Sequence, residues 1–188
     1  MTNKNKKEVV PQIDSKHVTQ EISINISNPE PKVSGLRLNV GSGIDYKEGF
    51  INIDLFDPSA DAAWDIRKLP LNSGSVAQII AYDVVEHIAV NDLIPMFKEW
   101  HRVLKQGGEV IVLTPDMVSL CEDFLKNPED DWSYAPIYGN QDGEGQFHKC
   151  GFTPKRLFKL FGFSGFRIIG SAYFPQGGVK HIYCTATK

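Results

Sequence analysis

Residues 38–55, LNVGSGIDYKEGFINIDL, constrain this chain more tightly than any other stretch. An apolar run ends at Val40, a Gly-Ser-Gly turn follows, and a second apolar run ends at Asp54. In a doubly wound α/β domain, a glycine loop after the first strand opens a helix, which carries the chain back to a parallel second strand. Residues 44–49 are too few for a full helix, and they are expected to form a loop or a single turn. A dinucleotide site depends on that helix, because its N-terminus holds the pyrophosphate. A ligand without phosphate tolerates its loss.

The full length of 188 residues suits one domain with one sizeable core. A net charge of −3 provides no basic field for a nucleic-acid backbone, so no nucleic-acid partner is expected. Cys121, Cys150 and Cys184 are odd in number and widely spaced, a pattern of neither a disulfide framework nor a zinc site. No apolar run approaches the roughly 18 residues of a membrane span, and the Lys- and Asn-rich start has no apolar signal core. The expected setting is the cytoplasm, with no membrane span.

Residues 1–34 are polar and broken by Pro11, Pro29 and Pro31, which reads as a tail. Within it, EISINIS alternates Ile22, Ile24 and Ile26 with polar residues, the period of an edge strand or of a strand added to a second subunit. Residues 35–188 read as one domain. LRLNV, FINIDL, VAQIIAY and EVIVLT are rich in β-branched residues and poor in charge, as buried parallel strands are. Between the last two, Leu93, Met96 or Phe97, Trp100, Val103 and Leu104 share one helical face, with Asn91 as the expected N-cap and Gly107 and Gly108 as the stop. Strands alternating with helices imply an α/β fold with a mainly parallel sheet. DMVSLCEDFLKN is compatible with a helix, and residues 128–151 with a long loop. A helix capped by Thr153, opened by Pro154 and ended by Gly162 follows, and then an antiparallel strand pair closes the chain.

Ligands of such sheets bind beyond the carboxyl ends of the strands. Four strand ends in succession carry ligand-compatible groups: Gly41 and Gly43, then Asp54, then Asp65 in WDIRKLPL, then AYDVVEHI. In that order the run LNVGSG, NIDL, DIRKLPL, VAQIIAYDVVEHI and RVLKQGGEVIVLTP, over residues 36–115, resembles class I S-adenosylmethionine-dependent methyltransferases. The small type-11-like subgroup shows the same shortened first crossover. The resemblance implies a doubly wound, seven-stranded Rossmann-like sheet with an antiparallel C-terminal strand, and S-adenosyl-L-methionine as cofactor. It also implies roles for residues. Gly41 and Gly43 would border the methionine portion and Asp54 the ribose, with Ser42 and Leu55 also at the cofactor. Asp65 and Ile66 would meet the adenine, and Tyr82 would line the site. The chain departs from the family pattern in two places: Ile44 and Asp45 stand where a third glycine is usual, and Ala77 replaces the usual Asp before the fourth strand.

A methyl acceptor must be aligned, and deprotonated if it carries a proton. His87 follows the fourth strand and titrates near neutrality, so it is the first candidate base, with Asp83 beside it and His148 in YGNQDGEGQFHKCGFT as the second. Each also has a plain structural reading: His87 as a loop hydrogen-bonder, Asp83 as a helix cap, His148 as a packed loop residue. Residues 115–152 are the expected acceptor-recognition segment, where Trp132, Tyr134 and Tyr138 would stack on a sugar or aromatic acceptor or form a small satellite core. Glu129, Asp130 and Asp131 read as solvated, and no metal site is expected. The expectation is methyl transfer to oxygen or nitrogen of a small molecule or glycan precursor, with a homodimer left open. A non-catalytic cofactor-binding or scaffold protein of the same fold is the alternative, and an NAD(P) oxidoreductase a more distant third.

Overall fold

The structure, a computed structural model, describes residues 30–176 and 178–188. The expected EISINIS strand and nearly all of the expected tail lie outside the described residues. One sheet contains β1 (Leu36–Val40), β2 (Ile51–Ile53), β3 (Val76–Tyr82), β4 (Leu104–Pro115), β5 (Arg167–Gln176) and β6 (Val179–Thr187). Its order is β2-β1-β3-β4-β6-β5, with β1 to β4 parallel and β6 antiparallel to both of its neighbours. Among the described residues the sheet therefore has six strands, not the expected seven. The missing one is reduced to a single parallel bridge, Ile53 to Ala62. Beyond that bridge the Asp65 carbonyl accepts from the Lys68 N–H, closing a turn within WDIRKLPL.

No helix forms between β1 and β2, as their spacing predicts. Two buried amides hold the short connection instead. Asn39 on β1 and Asn52 on β2 are paired across the ladder, and the Asn39 Nδ2 donates to Asn52 Oδ1 at 2.9 Å and to the Asp45 carbonyl at 2.7 Å. Asn52 Oδ1 also accepts from the Lys47 N–H at 2.8 Å, while its Nδ2 donates to the Lys47 carbonyl and to Asp61 Oδ2. Asn52 is fully buried, so these bonds replace those that water would make. The loop's polar backbone is thus satisfied by side chains where a helix would have satisfied its own.

Helix α1 (Val90–Val103) buries Leu93, Met96, Phe97, Trp100 and Val103 against the sheet. Its N-cap is Ala89 rather than Asn91, with no side-chain cap bond, and Asn91 lies exposed in the first turn. It ends at Val103, where β4 begins at once, so Gly107 and Gly108 come too late to stop it. The same helix fixes the 64–72 loop. Trp100 Nε1 donates to the Ile66 carbonyl at 2.9 Å, Glu99 accepts from the Leu69 N–H, and Arg102 donates to the Leu69 and Leu71 carbonyls. Trp100→Phe would leave the Ile66 carbonyl without its buried donor. A loss of about 1–2 kcal/mol is expected in urea unfolding.

Helix α2 (Met117–Lys126) starts at Asp116, which accepts from the Ser119 N–H. Part of the expected 128–151 loop is a helix, α3 (Asp131–Tyr138), capped by Asp130 accepting from the Trp132 N–H. Helix α4 (Pro154–Phe163) is capped by Thr153 as its sequence predicts. Gly162 lies within α4; the chain turns at Gly165, whose φ of +92° suits glycine. No helix among the described residues is long and apolar enough to cross a membrane.

Candidate functional site

The carboxyl ends of β1, β2 and β3 open into a cavity of about 430 Å³. Gly41, Ser42 and Gly43 line it after β1, Asp54 and Leu55 after β2, Asp65 and Ile66 from the 64–68 turn, and Asp83 and His87 after β3. Seven of the eight residues expected around the cofactor therefore share one wall system. Tyr82 does not. Along β3 alternate residues face opposite sides, and Tyr82 joins Ile80 against Phe50, Ile111 and Tyr183, with burial raising its phenol pKa. The cavity is reached one residue later, through Asp83.

Gly41 makes the closest approach in this site. Its φ is +64°, and a Cβ there would fall 1.8 Å from Val84 Cγ2. Gly43, with φ +46°, donates its N–H to Asp54 Oδ2 at 2.9 Å. The other oxygen of Asp54 accepts from the Phe56 and Asp57 N–H groups at 2.8 and 3.0 Å. Asp54 thus ties the β1 loop to the β2 loop and keeps acceptor capacity on Oδ2. Asp65 is differently engaged: Arg67 donates to both of its oxygens through Nε and to Oδ2 through a terminal nitrogen at 2.8 Å, which holds its carboxyl below the ordinary range. Arg67 also bonds Asp92. An amine arriving at Asp65 would displace one of these contacts.

At the other end, Asp83 has φ +52°, a strained backbone for a residue with a side chain. Its Oδ2 accepts from Gln176 Nε2 at 2.8 Å, and its Oδ1 lies 3.1 Å from His181 Nε2. A single 3-10 turn, Val85–His87, follows. Its Glu86 carbonyl accepts from the Lys149 and Cys150 N–H groups, which straps residues 147–150 over the turn. His148 is thereby brought to His87, with ring centroids 4.8 Å apart. His87 Nδ1 contacts the Phe147 carbonyl at 3.1 Å. Burial holds both histidines below the ordinary imidazole range.

Glu86 is the site residue that sequence reasoning passed over. It is 2% exposed, and burial, with Asp83 adding to it, pushes its carboxyl up to about 8. Thr114 Oγ1 donates to its Oε2 at 2.9 Å. The signal was present, since a carboxylate sits inside the apolar VVEHI run that contains His87. Phe56, Trp64 and Arg67 also line the cavity without having been expected there, and Glu144, Gln146 and Lys149 join them from the expected 115–152 segment. Of the aromatic residues expected at an acceptor, Trp132, Tyr134 and Tyr138 lie on α3 outside the cavity lining.

Residues 40–112 match the family model described as a methyltransferase domain. No curated protein sequence matches the chain. Among solved structures, an S-adenosylmethionine-dependent methyltransferase from Archaeoglobus fulgidus superposes with a TM-score of 0.59 at 14% identity, over 82% of this chain and 86% of that one. A similar methyltransferase from Mesorhizobium loti gives 0.57 at 14% identity, over 85% and 94%. The Burkholderia thailandensis 1,6-didemethyltoxoflavin-N1-methyltransferase, solved with 1,6-didemethyltoxoflavin and S-adenosylhomocysteine bound, gives 0.56 at 14% identity, over 81% and 70%. At such identities the likeness is one of fold. The matched segment is thus that of a methyltransferase domain, and the fold is one that these S-adenosylmethionine-dependent methyltransferases share.

Proposed function

We propose that this chain binds S-adenosylmethionine in the cavity and transfers its methyl group to oxygen or nitrogen of a small molecule or glycan precursor. One observation carries the reading: the glycine loop, Asp54 and the 65–66 turn line the same cavity as Asp83 and His87, so cofactor-side and acceptor-side groups meet. The cofactor's sulfonium supplies the methyl group; the carbon–sulfur bond breaks as the carbon–acceptor bond forms, its electron pair stays on sulfur, and the acceptor gives up a proton. The chain's own part is placement. Gly41 lets the backbone come within reach where a Cβ would collide with Val84, and the free acceptor position on Asp54 Oδ2 suits a ribose hydroxyl. Glu144, Gln146 and Lys149 line the cavity together with His87, which supports the 115–152 segment as the acceptor-recognition region.

The test is calorimetry with S-adenosylhomocysteine. One molecule per chain is expected to bind. Asp54→Ala is expected to weaken it about ten- to hundredfold, the value of one charge-assisted hydrogen bond plus the loss of the loop tie. Absence of binding to the wild-type chain, or an unchanged affinity in the variant, would sink the cofactor assignment. Binding without methyl transfer across a broad acceptor panel would favour the non-catalytic alternative.

A further inference from the structure

Glu86, His87 and His148 each offer a ligand atom within 4.8 Å of the other two. Around an ion with bonds of about 2.1 Å, neighbouring ligand atoms lie about 3 Å apart and opposite ones about 4.2 Å, so small side-chain rotations close the set. We propose that these three residues bind one divalent first-row cation of the Mn2+, Fe2+ or Zn2+ type, and that its remaining coordination positions accept an oxygen of the methyl acceptor. The second clause rests on the methyltransferase reading; the first does not.

Three independent features of the cluster point to a cation. First, Glu86 is 2% exposed, and its Oε1 has no hydrogen-bond partner among the described residues, although Oε2 is held by Thr114. A buried carboxyl oxygen without a partner is costly, and a cation that takes the place of the carboxyl proton removes that cost. Secondly, the His87 imidazole has one nitrogen against a backbone carbonyl: its Nδ1 faces Phe147 at 3.1 Å. A carbonyl partner takes the N–H and leaves the opposite nitrogen as a lone pair, the arrangement that orients histidine ligands in metal sites. Thirdly, two imidazoles and one carboxylate with open positions form a donor set suited to first-row cations, whereas Mg2+ and Ca2+ favour oxygen alone.

The backbone keeps these groups together. The Glu86 carbonyl accepts from both Lys149 and Cys150, and the His148 N–H donates to the Tyr138 carbonyl. Gly139 allows this closeness: its φ is +82°, and a Cβ there would fall 2.1 Å from the Gln146 carbonyl oxygen and 3.0 Å from the His148 nitrogen. His87 and Asp83 line the cavity, so a cation held by His87 borders the acceptor space. An acceptor hydroxyl on that cation loses its proton to water more readily, which makes the oxygen a better nucleophile for the methyl carbon. His87 is then a ligand and not the base. Residues from two distant segments supply the set, which is why no spacing in the sequence announces it.

The experiment uses the full chain, stripped with a chelator and titrated with Mn2+ followed by electron paramagnetic resonance, and with Zn2+ by calorimetry. One ion per chain is expected. Glu86→Gln and His148→Ala are each expected to weaken it at least about tenfold, with S-adenosylhomocysteine affinity retained. No saturable binding of either ion to the wild-type chain overturns the site, as does binding that both variants leave unchanged. If a variant fails to fold, the wild-type titration and the other variant decide. Binding of S-adenosylhomocysteine without any ion refutes the metal site alone; binding of an ion without S-adenosylhomocysteine refutes the methyltransferase reading and leaves the site standing.

Discussion

Asn52→Ala is expected to lower the free energy of unfolding by about 2–4 kcal/mol, because it strips several buried polar groups of their partners at once. The lost bonds are those to Asn39, to the Lys47 N–H and carbonyl, and to Asp61. Asn39 keeps its bond to the Asp45 carbonyl, but the Lys47 backbone must find water in a tight loop. Urea unfolding followed by circular dichroism measures the loss. Asn52→Asp does not rescue it: the carboxylate keeps the acceptor, loses the donor and faces Asp61. Tyr46→Phe is the control, since it removes only an exposed 3.3 Å contact to the same Asp61, and a change within about 0.5 kcal/mol is expected there. An Asn52→Ala chain as stable as the wild type would mean that the short crossover is held by something other than this amide network.

Gly41→Ala is expected to cost about 2–5 kcal/mol and to abolish measurable S-adenosylhomocysteine binding, for two separable reasons. The new methyl would meet Val84 Cγ2 at 1.8 Å and Cβ at 2.8 Å, and Val84 is β-branched with little freedom to rotate away. The backbone at φ +64° is also one that alanine resists. Adding Val84→Ala should remove the collision and leave the conformational strain, so the double variant is expected to recover part of the stability and not all of it. Full recovery would show that strain contributes nothing. No recovery would show that the collision is relieved elsewhere. Chemical denaturation of the four chains of this double-mutant cycle makes the separation.

The legible parts of this chain were those governed by neighbours in sequence. Val76 to Tyr82 reads as a strand because a run of apolar and β-branched residues, interrupted only by Gln78, fits a surface buried on both faces, and every residue from Val76 to Ala81 is buried. For the same reason the faces could not be assigned. With no polar alternation, nothing local places Tyr82 with Phe50 and Tyr183 on the far side from the cavity. Gly162 resembled a helix stop, yet α4 runs to Phe163 and the chain turns at Gly165, where the Phe166 N–H donates back to the Phe161 carbonyl and both rings enter the core. Asn91 has the chemistry of a cap, but the helix begins one residue earlier, with Ala89 in the cap position.

The sequence by itself determined the absent first helix, the glycine loop and the carboxylates at successive strand ends, since chain length and residue type alone dictate them. Only the tertiary structure decided that Arg67 reaches Asp92, that two buried asparagines hold the crossover, and that His148 comes to rest against His87 beside Glu86. Those outcomes depend on contacts between segments far apart in the chain. Such contacts are chosen by packing and by the need to satisfy buried polar groups, and no local pattern encodes either.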